Sequence, residues 1–72
     1  MAEFEEIDCV KLGEKIRMQR ASKKMSRETL GELAKVSGAT IANIEADAEK
    51  ALFKNIIAIA KALNVSVRDL LY

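Results

Sequence analysis

Apolar residues recur at intervals of three and four along almost the whole chain, and no stretch alternates as a half-buried strand would. Cys9, Leu12 and Ile16 begin the series. Arg20 continues it by one more turn, so a charged side chain points where the apolar ones point. Gly13 within this segment is expected to weaken the helix by up to ~1 kcal/mol relative to alanine. After the break ASKKM, Ser26 holds the position of an N-cap, with Glu28 near the positive end of the helix dipole. Leu30, Leu33 and Ala34 form the expected buried stripe of that short helix. A turn at Lys35 and Val36 follows, Ser37 caps the next helix, and Ile41, Ile44 and Glu45 lie on one side of it. Leu52, Phe53, Ile56, Ile57, Ala60 and Leu63 make the strongest stripe. Asn64 reads as a C-terminal stop, and Ser66 with Asp69 matches the capping box opening a last short helix. The spacing predicts an all-α fold, a compact bundle of about five short helices.

A chain of 72 residues makes one small domain, which buries only about 60% of the surface its unfolded form exposes. No apolar run approaches the ~20 residues that span a bilayer. The opening MAEFEEIDCV is acidic where a signal peptide would be basic and then apolar, so a cytoplasmic location is expected. Histidine is absent, which removes the commonest general base and the commonest zinc ligand. Cys9 is the only cysteine, so neither an internal disulfide nor a structural zinc site can form. It reads as a small, half-buried hydrophobe, with a redox or intermolecular role as the alternative. Neither catalysis nor a cofactor or metal is expected.

The net charge of +1 conceals a segregation. Residues 1–8 carry Glu3, Glu5, Glu6 and Asp8 with no cation. Residues 9–27 carry Lys11, Lys15, Arg17, Arg20, Lys23, Lys24 and Arg27 against Glu14 alone. Residues 28–49 are acidic again, with Glu28, Glu32, Glu45, Asp47 and Glu49 against Lys35. A basic cluster of this kind is either a phosphate footprint or a solvated helix face.

A short helix, a tight turn and a second short helix over residues 27–46 match the helix-turn-helix in size and pattern. More specifically, residues 12–71 resemble the phage-repressor-like (Xre/Cro-type) helix-turn-helix family, whose fold is the lambda-repressor-like DNA-binding domain. The resemblance rests on Leu12-Gly13, Ile16-Arg17 and Arg20, then Met25-Ser26, Leu30 and Val36-Ser37. It continues through Thr40-Ile41, Ile44-Glu45, Ile59-Ala60-Lys61-Ala62-Leu63 and Val65-Ser66. It divides the chain into an acidic N-terminal extension, residues 1–11, and a helix-turn-helix domain, residues 12–72. In the family, residues at the positions of Arg20 and Glu45 pair across the core. An inward charge needs such a partner, and the alternative is two snorkelling surface side chains.

The resemblance implies that the helix from Ser37 to about Ala46 enters the major groove of double-stranded DNA. Positions that meet base edges correspond to Ser37, Gly38, Ala39, Ala42 and Asn43, with Thr40 in the same interface. Asn43 is the one long polar reader, able to pair bidentately with adenine. Ser37 can bond a base or a phosphate unless its hydroxyl is committed to capping. Gly38, Ala39 and Ala42 read equally as small surface residues, although Gly38 would let backbone N–H groups approach a phosphate. Arg27 stands where the family usually has a phosphate-touching glutamine. Lys35 stands in the turn where glycine is frequent, so a left-handed conformation is expected. Lys50, Lys54 and Asn55 open the fourth helix, another phosphate-facing region. Each lysine alone reads first as solvated surface; with Arg27 they form a plausible phosphate-binding set.

Departures oppose this reading. The loop EADAEKAL carries Asp47 and Glu49, with Ala51 where the family has proline, and carboxylates repel a phosphate backbone. The expected function is a sequence-specific DNA-binding transcriptional regulator, acting as a repressor on a symmetric operator, with much of the specificity from DNA shape. It would act as a homodimer, for which Leu71 and Tyr72 are the candidate contact residues. The alternative is a protein-interaction module on the same scaffold, antitoxin-like or regulator-binding, that offers its acidic patches to a basic partner.

Overall fold

The structure, a computed structural model, describes residues 8–72. Its elements are α1 (Cys9–Ser22), α2 (Arg27–Ala34), α3 (Gly38–Ala46), α4 (Phe53–Leu63) and α5 (Val67–Leu71), with no strand among the described residues. The charges Glu3, Glu5 and Glu6 of the acidic extension lie outside the described residues, whereas residues 9–11 are the first turn of α1.

Side-chain oxygens start four of the helices. Asp8 Oδ1 accepts from the N–H groups of Val10 and Lys11, each at 3.1 Å. Ser26, Ser37 and Ser66 accept from the N–H groups of Thr29, Thr40 and Asp69 at 2.9, 3.0 and 3.1 Å. Each bond satisfies a donor that the first helical turn leaves without a partner, for about 1 kcal/mol. Only α4 begins without such a cap, at Leu52.

Three helices end in the same way. Lys24, Lys35 and Asn64 take positive φ values of 54°, 63° and 59°. The next N–H in each case reaches back across the last turn, Met25 to Arg20 O, Val36 to Gly31 O and Val65 to Ala60 O. This is the Schellman closure, which favours glycine because a side chain costs about 1–2 kcal/mol in the left-handed region. Replacing Lys35 with glycine is therefore expected to stabilise the fold by about 0.5–1 kcal/mol once the extra unfolded-state entropy of glycine is subtracted. A urea midpoint that falls in this variant would show that the Lys35 side chain contributes more than its backbone costs.

Every helix supplies the core. Ile16, Leu30, Ile41, Ile59 and Leu63 are fully buried, and Leu70 of α5 joins them. Each contributes about 1.5–3 kcal/mol by leaving water. Helix α2 packs on α3 and α4, α1 packs on α3, and α5 bridges α1 and α4. A cavity of ≈ 370 Å³ lies between the start of α1 and the end of α5, lined by Asp8, Lys11 and Lys15 on one side and Leu71 and Tyr72 on the other.

Gly13 has a tertiary role beyond its local propensity. A Cβ there would lie 2.3 Å from the carbonyl oxygen of Ile44 and 2.6 Å from that of Glu45, so α1 and α3 touch backbone to backbone. Three expected core positions are corrected. Leu33 is 55% exposed, because the inward side of α2 is made by Leu30, Gly31 and Ala34. Leu52 and Phe53 are 58% and 61% exposed at the start of α4, and its buried stripe is Ile56, Ile59, Ala60 and Leu63.

Candidate nucleic-acid interface

Helix α3 is anchored on its inner side by Ile41, Ile44 and Glu45, all buried, which turns Ala39 and Asn43 to the surface. Ser37 and its helix follow from local chemistry. The Ser37 hydroxyl accepts from Thr40 N–H and donates to Thr40 Oγ1 at 2.9 Å. Its proton is thus committed to the cap, and the same closed Ser–Thr pair recurs at Ser26 and Thr29. Asn43 remains exposed, with a free side-chain amide among the described residues.

A cleft of ≈ 250 Å³ between α3 and the start of α4 gathers Thr40, Asn43, Lys50 and Asn55, together with Asp47. Four of the expected contact residues thus share one surface, and a carboxylate borders it. The loop that carries this carboxylate is fixed in place. Asp47 Oδ1 accepts from Glu49 N–H at 2.9 Å, and Ala48 N–H donates to Cys9 O at 3.1 Å. Lys54 is exposed on the first turn of α4 but does not line the cleft. Lys35 lies apart from it, on a groove with Leu33, Ala58 and Lys61. Gly38 is half-buried, and a Cβ there would meet Glu28 Oε2 at 3.1 Å. The Glu28 carboxylate, whose place spacing did not reveal, therefore lies beside Gly38 at the N-terminus of α3, where the resemblance implies a phosphate.

The charged centre of the fold is a carboxylate shared by two guanidinium groups. Glu45, whose side chain is 2% exposed, accepts from Arg20 Nε at 2.6 Å through Oε2 and from Arg20 Nη2 at 3.2 Å through Oε1. Arg20 Nη1 donates to Met25 O at 2.8 Å. The inward charge at Arg20 thus has the partner that its position required. The second guanidinium is a contact that sequence reasoning missed: Arg27 Nε donates to Glu45 Oε1 at 3.1 Å. The hydrogen bond to Glu45 raises the pKa of Arg20, its burial opposes this, and the charges of Glu45 and Glu28 add to the rise. A base whose pKa rises on folding adds stability that is fully present below its unfolded pKa and is lost only as pH rises through the folded one, so the pair holds across the neutral range.

No helix among the described residues is long and apolar enough to cross a membrane. The profile of the helix-turn-helix family matches residues 16–70. No curated protein matches the chain. Among solved structures, the restriction-modification controller protein C.AhdI from Aeromonas hydrophila is 31% identical, with a TM-score of 0.81 over 86% of this chain and 94% of its own. The P22 c2 repressor, solved with a synthetic operator, is 33% identical with a TM-score of 0.77 over 83% of this chain and 91% of its own. SinR, a master regulator for biofilm formation solved in complex with DNA, is 27% identical, with a TM-score of 0.77 over 85% of this chain and 98% of its own. Profile, core and helix order agree, and the chain belongs to the lambda-repressor-like helix-turn-helix family.

Proposed function

We propose that the chain is a DNA-binding transcriptional regulator, not an enzyme, acting in the cytoplasm as a repressor on a symmetric operator. The observation that carries this reading is the cleft beside α3, where Asn43 projects from an anchored helix next to Thr40, Lys50 and Asn55. Asn43 reads a base edge, while Lys50, Lys54 and Asn55 hold the phosphate backbone. The solved relatives that carry an operator or DNA support the same assignment. One helix of this length reads only a few base pairs, which calls for two copies. Tyr72, 71% exposed, and the half-buried Leu71 offer the contact surface.

Selection from random duplex DNA is expected to recover a palindromic motif. Asn43→Ala should then weaken binding by about 1–3 kcal/mol and relax one position of each half-site. A protein-interaction module is the rival reading, favoured by the acidic side chains Asp8, Asp47 and Glu49 around one shallow cavity. Duplex affinity that falls steeply with salt supports DNA; selection that enriches nothing supports the module.

A further inference from the structure

We infer that Glu45 is a positioning residue for DNA, aiming the guanidinium of Arg27 at a backbone phosphate. The inference rests on the DNA-binding reading above and assigns part of its phosphate contact to a buried residue. One carboxylate carries a single negative charge, and two guanidinium groups converge on it. Their unit therefore keeps one excess positive charge, and Glu28, whose charge reaches Arg20, makes no ion pair with either arginine among the described residues. Arg20 does not present it, because its Nε and Nη2 face Glu45, its Nη1 faces Met25 O, and its side chain is only 15% exposed. The excess charge is presented by Arg27, whose side chain is 47% exposed and which engages Glu45 through Nε alone.

That division of the guanidinium matters. With Nε held, the two Nη groups form an open fork with no acceptor among the described residues. A fork of this kind matches two oxygens of a phosphodiester, and fixing its plane before binding removes part of the ordering cost. Arg27 is the first residue of α2, just after the Ser26 cap, so the positive end of that helix faces the same anion. A lysine could not do this in the same way, because its ammonium is a point charge without the planar fork that holds Glu45 at one edge and two phosphate oxygens at the other.

The test is a double-mutant cycle on affinity for a short mixed-sequence duplex, titrated at several salt concentrations on proteins shown folded by circular dichroism. Arg27→Ala is expected to weaken binding about tenfold and to lower the salt slope by about one. In a Glu45→Gln background the same change should cost less than about twofold, because the fork is no longer aimed. Equal losses in both backgrounds would overturn the inference, since a merely structural Glu45 leaves the salt slope of a folded protein unchanged. Should Glu45→Gln fail to fold, Arg27→Lys decides: a loss close to that of Arg27→Ala supports the aim, and wild-type affinity refutes it. Binding by the wild type with no effect of Arg27→Ala removes this inference alone. No binding by the wild type at any salt removes the DNA-binding reading, and the inference with it.

Discussion

Glu45→Ala is expected to destabilise the fold by about 3–5 kcal/mol, the usual consequence of removing one partner from a buried charged cluster. Glu45 is the acceptor for three guanidinium nitrogens on two arginines. Arg20 would keep only Met25 O, in a place that admits little water. A domain of this length has a total stability of roughly 4–11 kcal/mol, so the variant should be close to unfolding at body temperature. In thermal denaturation each kcal/mol corresponds to about 4–8 °C at this size, and a drop of more than about 12 °C is expected. Arg27→Ala is the control. It leaves the Arg20–Glu45 pair intact and removes a side chain already half in water, so its cost should stay below about 1 kcal/mol. An unchanged midpoint for Glu45→Ala would mean that the carboxylate does not hold α1 to α3.

Gly13→Ala should also destabilise, by about 2–4 kcal/mol, and here two principles predict opposite signs. Helix propensity alone favours alanine by about 1 kcal/mol. The added methyl would meet Ile44 O at 2.3 Å, where an ordinary carbon–oxygen approach is about 3.3–3.6 Å. The obstacle is backbone, not the end of a flexible side chain, so α1 would have to retreat by about 1 Å along its contact with α3. That retreat would loosen the packing of α1 on α3 and stretch the Arg20–Glu45 bonds. Overpacking of this kind costs about 1–3 kcal/mol before the ion pair is counted. Urea denaturation of the two proteins measures the difference, and a stabilised variant would show that α1 and α3 are not in backbone contact.

What could be read from the sequence was mostly local. The caps at Ser26, Ser37 and Ser66 form as expected, because a hydroxyl and an N–H three residues on are brought together by the helix itself. The left-handed Lys35 and the pairing of Arg20 with Glu45 were also legible, both through the family resemblance; the apolar stripe alone said only that the Arg20 charge needs a partner. Leu33, Leu52 and Phe53 were misplaced for a physical reason. Periodicity tells which residues share a helix face, but the width of the covered strip depends on the neighbouring helix. The same limit explains Gly13, whose local cost was visible and whose tertiary necessity was not. It explains Arg27 as well, since the bond to Glu45 depends on how α2 crosses α3. For the candidate interface, spacing and resemblance named Thr40, Asn43, Lys50 and Asn55, which meet at one cleft. They named Lys35 too, which lies on another groove, and they gave no hint of Glu28 beside Gly38.

The cavity shared by Asp8 and Tyr72 brings the first and last described residues to one pole of the molecule. Helix α5 has only five residues, too few to persist alone in water, and it is held by its packing on α1 and α4. The connectivity of the described residues therefore behaves more like a loop than a line: α1 and α5 pack on each other, and fraying of one loosens the other. A short linker from residue 72 to residue 8 would close that loop covalently. The break could then move to an exposed turn such as Lys23–Lys24, and the order in which the helices leave a ribosome would become independent of the fold they reach.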